Sequence, residues 1–185
     1  MVDAGAALLA RRGYGITMLE VIKEAEAPRG SIYYHFPGGK DELVVDVAAR
    51  IGSELRHLVE VMARRNPGIA DFLGALVQHH AKRLAQSDFV EGCPLLGVTV
   101  SVDIESSEIR EAVAAAFEIW VDAISFVLRE KGLDAPVAAR LASTTVAAVE
   151  GAIVLGRATR SRRPLDDFGA LIPALVAGLD GSAAA

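Results

Sequence analysis

The sequence lacks several features that would define a class of function. It has one cysteine, Cys93, in 185 residues, so it cannot form a disulfide framework or a zinc or iron–sulfur site of several cysteines. It also lacks an excess of positive charge, since its formal net charge is -5. A nucleic-acid-binding surface would therefore have to be local. Only 5% of the residues are aromatic.

Long apolar runs are missing as well. No uninterrupted stretch of 18 apolar residues occurs, so we expect no membrane-spanning segment and no membrane partner. The chain opens without the basic and apolar regions of a signal peptide, and a single free thiol fits a reducing compartment. These features favour a cytoplasmic protein.

Sequence signals of catalysis are also absent. We find no nucleophile elbow, no P-loop and no GxGxxG motif after a strand. The sequence therefore predicts a protein that is not an enzyme, with no cofactor and no catalytic or structural metal site.

Apolar residues, at 52% of the chain, recur mainly at helical spacing. The spacing predicts an all-α fold, because apolar side chains three and four residues apart share one face of a helix. Beyond the N-terminal region we expect helices at residues 40–65, 69–86, 94–102, 106–131, 135–160 and 166–179.

Two short helices near the N-terminus indicate a helix-turn-helix. Thr17 and Glu20 have the spacing of a capping box at the start of the first. The second, predicted at residues 30–36, follows a turn of about three residues. Val21 and Ile32 are the expected core contact between them.

The second short helix presents a polar surface. Its exposed side chains are expected to be Arg29, Ser31, Tyr33, Tyr34 and His35, and no acidic residue occurs from residue 27 to residue 40. Such a face can lie in the major groove and donate to phosphates and base edges.

Residues 2–47 resemble the N-terminal DNA-binding domain of the TetR/AcrR family of bacterial transcriptional regulators. The matching stretches are AALLARRGY at residues 6–14, Thr17, RGSIYYHFP at residues 29–37 and KDEL at residues 40–43. The extra glycine in the Pro37-Gly38-Gly39 segment and the later GCP at residues 92–94 resemble the LmrA/YxaF-like subgroup.

The resemblance implies a three-helix helix-turn-helix domain at residues 1–46. A long helix joins it to a helical ligand-binding and dimerisation domain at residues 47–185. The resemblance also assigns DNA contacts to residues of the motif. These are Thr17 and Lys40 on phosphates, Arg29 and Ser31 on bases or phosphates, and Tyr33, Tyr34 and His35 on the backbone or base edges. His35 has an alternative role, because a histidine near a helix C-terminus also stabilises the helix dipole.

Three features depart from the family pattern. Glu26 replaces the usual glycine of the turn, Ile22 replaces a small residue, and the usual basic arm before the first helix is missing. These departures support an alternative function, a ligand-binding helical dimer with weak or no DNA binding.

The aromatic residues of the later helices have two interpretations. Phe72, Phe117 and Trp120 lie on apolar faces and form either the helical core or the lining of an apolar cavity. The predicted effector site contains these three together with Met62, His79 and Cys93. Cys93 is alternatively a buried structural thiol, and the adjacent residues His79 and His80 diverge on a helix, so they cannot readily chelate one metal ion.

Small residues in the 135–160 helix indicate close helix packing. They either face the interior of one subunit or form an isologous dimer interface, which we favour. The predicted interface comprises Ala138, Ala142, Ala148 and Ala152 with Phe168, Leu171 and Leu175 of the last helix. A basic cluster between these helices, Arg157, Arg160, Arg162 and Arg163, is interpreted as a solvated turn.

Taken with the resemblance, these patterns predict a homodimeric transcriptional repressor. Its partners would be a palindromic double-stranded operator and a mostly apolar small-molecule effector that releases the DNA.

Overall fold

The structure, a computed structural model, describes residues 1–101 and 107–182, and within these ranges every regular element is a helix. The all-α prediction is confirmed. The helices are α1 (Val2–Arg12), α2 (Met18–Glu24), α3 (Ser31–His35), α4 (Lys40–Arg65), α5 (Ile69–Gln86), α6 (Pro94–Thr99), α7 (Ser107–Glu130), α8 (Ala135–Thr159) and α9 (Arg163–Ser182). A 3₁₀ turn at Gly13–Gly15 follows α1. The side chains of Ile32 and Tyr33 lie outside the described part, and so does the expected Val21–Ile32 contact.

The bounds of α4 and α5 agree with the sequence prediction, whereas those of α3, α6 and α9 differ, and α6 ends at Thr99 instead of residue 102. α3 is shorter than predicted because Phe36 already belongs to the next turn, where its carbonyl oxygen accepts from Gly39 N at 2.9 Å. α9 begins three residues earlier than predicted. Pro164 suits the first turn of a helix, since that turn does not need its missing N–H.

The first compact unit comprises residues 1–55 and 91–119. One apolar core joins its helices, with buried side chains from α1, α2, α4, α6 and α7. α6 lies close to α1 because Gly97 has no side chain, and a Cβ there would lie 2.7 Å from the Leu9 carbonyl oxygen. This unit therefore holds α2 in one core with α6, and Phe36, the residue after α3, lies in the same core. The functional division after residue 46 stays a prediction.

The second compact unit comprises residues 56–90 and the chain from residue 120 onward. α5, α8 and α9 pack together in it. A glycine at 156 permits the close approach, since a Cβ there would lie 2.7 Å from Leu84 Cδ2. Phe72, Trp120 and Leu165 are among its fully buried side chains.

α8 is long and apolar enough to cross a membrane by length and composition alone, with a mean hydropathy of 1.4 in its most apolar window. The same composition is found in core helices of soluble proteins. α8 packs against α5 and α9, and 44% of that window is buried inside the fold. This packing accounts for the buried part of its apolar surface, whereas Val154 and Leu155 stay exposed.

Candidate DNA interface, effector site and docking face

The start of α2 is fixed by the predicted capping box. The Thr17 side chain accepts a hydrogen bond from Glu20 N at 3.3 Å, and Thr17 N donates to Glu20 Oε2 at 2.8 Å. Arg12 also donates to Glu20 and lies in a salt bridge with it. The hydrogen bond from Arg12, followed by those from Thr17, lowers the pKa of Glu20 to about 2. Thr17 itself remains exposed at the end of the helix.

The turn between α2 and α3 contains the first departure from the family pattern. Glu26 has a φ of 51°, in the left-handed region that favours glycine. The backbone still closes the turn, because Ala27 N donates to the Ile22 carbonyl oxygen at 3.1 Å. Glu26 thus adopts the turn geometry, at a cost in backbone strain.

α3 and the residues before it form an exposed polar surface. Arg29 is exposed and makes no ion pair with any residue that the structure describes. Tyr34 is 84% exposed and its ring meets that of exposed His35 edge-on, with centroids 5.4 Å apart. Ser31 is half-buried, and its hydroxyl donates to the Pro28 carbonyl oxygen at 2.7 Å.

Lys40 begins α4 beside the turn that follows α1. Its ammonium lies 3.6 Å from the centre of the Tyr14 ring, and Tyr14 donates its hydroxyl proton to Asp41. Burial, together with the Asp41 contact, raises the pKa of Tyr14 to about 12. These contacts hold the start of α4 against the turn that follows α1. Lys40 remains half-buried.

We call these exposed or half-buried side chains the recognition face. It comprises Thr17, Arg29, Ser31, Tyr34, His35 and Lys40, and Tyr33 is a predicted member whose side chain lies outside the described part. The face supplies a guanidinium, an ammonium, hydroxyls and an imidazole, which are groups that bind phosphates and base edges.

Trp120 and His80 meet inside the second unit. Their ring centroids lie 5.3 Å apart with an interplanar angle of 46°, and Trp120 is only 1% exposed. Trp120 Nε1 and His80 Nε2 are both shielded from solvent, and neither has a hydrogen-bond partner among the described residues. Burial, with smaller contributions from His79 and Arg83, lowers the pKa of His80 to about 3. His80 was not among the predicted effector residues, because helical spacing alone does not show which of two adjacent histidines faces the interior.

The other predicted effector residues are divided between the two units. Met62 and His79 are half-buried in the second unit, where Phe72 is fully buried. Cys93 and Phe117 are half-buried and pack against the core of the first unit. The effector role of all six predicted residues stays a prediction.

Small residues of α8 are divided between the interior and the surface. Ala138 and Ala142 are 0% exposed and Ala152 is 7% exposed, so they contact helices of their own chain. For Ala138 and Ala142 the interior alternative holds, and we correct the predicted interface accordingly; the interface role of the other predicted residues stays a prediction. Ala148 and Phe168 are half-buried.

An apolar surface does remain on α8 and α9, and we call it the docking face. Its large exposed members are Val154, Leu155, Leu171 and Leu175, each between 49% and 59% exposed. A groove of about 760 Å³ lies beside them. It is lined by Ala148, Gly151, Ala152, Leu155, Thr159, Ser161, Arg163, Pro164, Asp167 and Phe168.

Three arginines of the cluster predicted as a solvated turn are paired with carboxylates. Arg160 binds Asp88 at 2.7 Å, and Arg163 binds Asp167 at 3.3 Å. Arg162 contacts Asp166 through two nitrogens, and its Nη2 also donates to Gln78 at 2.8 Å. The arginines are thus paired within a turn where Arg160 and Arg163 remain exposed, and of these three only Arg162 donates to Gln78 of α5.

Comparison with known proteins accounts for both parts of the chain. Residues 1–47 match the family described as bacterial regulatory proteins, tetR family. Residues 70–171 match the family described as transcriptional regulator LmrA/YxaF-like, C-terminal domain.

Individual proteins match over nearly the whole chain. The uncharacterized HTH-type transcriptional regulator Rv0196 of Mycobacterium tuberculosis is 33% identical over 172 residues, covering 90% of this chain and 87% of its own. The HTH-type transcriptional regulator LmrA of Bacillus subtilis is 27% identical over 177 residues, covering 95% and 94%. The crystal structure of regulatory protein TetR from Rhodobacter sphaeroides is similar in fold, with a TM-score of 0.81 at 20% identity, covering 92% and 94%.

Proposed function

Because the chain belongs to the TetR family of bacterial transcriptional regulators, with a DNA-binding helix-turn-helix at its N-terminus, we propose a more specific role. The protein is a cytoplasmic homodimeric repressor, and a mostly apolar small molecule releases it from a palindromic operator.

The recognition face supports the DNA contact. Arg29 is exposed without an ion pair among the described residues, in a segment that has no acidic residue from 27 to 40. A free guanidinium beside hydroxyl groups can bind a guanine edge or a phosphate. This exposed Arg29 is the observation that carries the proposal. Lys40 donates one of its N–H groups to the Tyr14 carbonyl oxygen, which leaves two donors for a phosphate.

The docking face supports a homodimer. Leu155 of α8 and Leu171 of α9 are exposed large apolar side chains on helices that already pack together. Burying this face against a second copy by a two-fold axis would remove apolar area from water. The same axis would pair two recognition faces and thus demand an operator with two-fold symmetry.

The second unit supports an effector site. Its buried aromatic residues Phe72 and Trp120 are typical of sites for apolar molecules. Release of DNA then requires that the effector binds better to a conformer whose recognition faces do not fit the operator. A dimer that occupies the operator represses by excluding other proteins from the same DNA.

Binding of the protein to the DNA upstream of its own gene tests the proposal. Fluorescence anisotropy should show binding that weakens with salt, with a log–log slope of about -3 or steeper, since each subunit offers at least two cations to phosphates. Binding that does not respond to salt, or no preference for the upstream region over random DNA, would favour the alternative of a ligand-binding dimer without operator recognition.

A further inference from the structure

Trp120 presents a buried donor that nothing in the described chain satisfies. The side chain is 1% exposed, its Nε1 is shielded from solvent, and no acceptor of the described residues lies within hydrogen-bonding distance. Buried N–H groups in folded proteins nearly always have a partner, because an unsatisfied one carries its full desolvation cost. The indole N–H therefore needs a hydrogen-bond acceptor that the described residues do not provide.

His80 places a second unsatisfied nitrogen beside the first. Its ring lies 5.3 Å from the Trp120 ring, and its Nε2 is shielded from solvent without a partner among the described residues. The His79 ring also meets the His80 ring edge-on, with centroids 5.5 Å apart. Two polar atoms without a partner among the described residues thus lie on neighbouring rings, and we call this pair of rings the polar locus.

We infer that this locus binds one oxygen atom of the effector. This inference rests on the proposed effector function. The effector is an uncharged, mostly apolar molecule with a hydroxyl or carbonyl group that accepts from Trp120 Nε1 and pairs with His80 Nε2.

The uncharged imidazole of His80 disfavours a carboxylate group of the effector at this locus. Burial depresses the pKa of His80 far below neutrality, so its imidazole carries no charge to balance a carboxylate. Lys82 and Arg83, the nearest cations along α5, are exposed. A buried ion without a counter-charge costs much more than a buried hydroxyl that is hydrogen bonded.

Trp120 is the only tryptophan of the chain, so one indole N–H resonance reports on the locus. We would titrate the ¹⁵N-labelled, DNA-free protein with p-cresol, toluene and p-toluate, which share one ring and differ in the polar group. The indole resonance should shift most with p-cresol, and p-cresol should bind about fivefold or more tightly than toluene and p-toluate. A ketone, p-methylacetophenone, distinguishes a carbonyl from a hydroxyl. Equal binding of toluene, tighter binding of p-toluate or an indole resonance that p-cresol does not move would overturn the inference.

The variant His80→Leu measures how much the unpaired nitrogen of His80 destabilises the free protein. His80→Leu should raise the melting temperature of the free protein by about 2–6 °C, because it removes a buried polar atom without a partner. It should also abolish the preference for p-cresol over toluene. His57→Leu, at an exposed histidine of α4, should do neither. A lower melting temperature for His80→Leu would show that the imidazole serves the fold and would contradict the inference.

Separate measurements test the repressor role and the effector-binding locus. These titrations use no DNA, so loss of operator binding would refute the repressor role and leave the locus standing. Binding of p-cresol at Trp120 without any change in operator affinity would refute the effector role alone.

Discussion

The ammonium of Lys40 lies 3.6 Å above the centre of the Tyr14 ring and donates a hydrogen bond of 3.2 Å to the Tyr14 carbonyl oxygen. This contact joins the first residue of α4 to the turn that follows α1. It also fixes the position of one cation of the recognition face. Lys40 thus has both a structural contact and donors available to DNA.

Lys40→Met separates these roles, because methionine keeps an apolar stem over the ring and removes the charge. We expect weaker binding to all DNA sequences and a salt slope smaller by about 1 for each contact that is lost. Anisotropy titrations at several salt concentrations measure both. Lys82→Met, at an exposed lysine of the second unit, is the matched control. A slope that matches this control would leave Lys40 with a structural role only.

Tyr14 should make the stability of the protein sensitive to alkali. Its pKa is raised to about 12, first by burial and then by the hydrogen bond to Asp41, against a model-compound value of 10.0. Because the folded state favours the neutral phenol, this contribution is complete below about pH 10 and is lost as the pH rises toward about 12. Urea unfolding across this range measures it. Tyr14→Phe should be less sensitive in the same range, and an equal loss in both proteins would contradict the assignment.

Glu26→Gly should stabilise the protein by up to ~1 kcal/mol. Glycine removes the strain of the left-handed φ of 51°, although its greater freedom in the unfolded chain offsets part of the gain. Urea unfolding gives the difference. Glu26→Ala is the control, since alanine keeps the strain while removing the carboxylate, and it should bring no comparable gain. An equal gain in both variants would assign the effect to charge.

Leu171→Glu should turn the dimer into a monomer. The residue is 59% exposed on the docking face, and a carboxylate buried against a second copy has no counter-charge there. Sedimentation equilibrium measures the mass in solution. Leu19→Glu is a matched control, because Leu19 is 61% exposed on α2 and should not alter the mass. A dimer that persists in Leu171→Glu would place the interface elsewhere.

Local signals were sufficient for much of the fold. The capping box of Thr17 and Glu20, and the proline and glycine breaks around α4 and α5, are encoded within a few residues, and the structure agrees with them. The exposure of Arg29, Tyr34 and His35 was also predictable, because these polar residues are close in sequence and no acidic residue occurs from residue 27 to residue 40. What each of these residues contacts on DNA stays a prediction.

Contacts between distant residues could not be predicted in this way. Arg160 meets Asp88 at a separation of 72 residues, so its pairing cannot be recognised from the basic cluster itself. The small residues of α8 were compatible with the interior of one subunit and with a dimer interface, since periodicity does not show which neighbour covers a helix face. The structure places Ala138 and Ala142 in the interior. For the same reason the contact between His80 and Trp120 required coordinates.

Operator binding by Arg29→Ala is the most direct test of the central claim, that the exposed segment around α3 reads DNA. We predict that specific affinity falls by roughly 1–3 kcal/mol if the guanidinium reads a guanine. Arg129→Ala, at an exposed arginine of α7, changes the net charge equally and should bind the operator almost as the unaltered protein does. Equal affinities for Arg29→Ala and Arg129→Ala, with both variants folded and dimeric, would contradict the account.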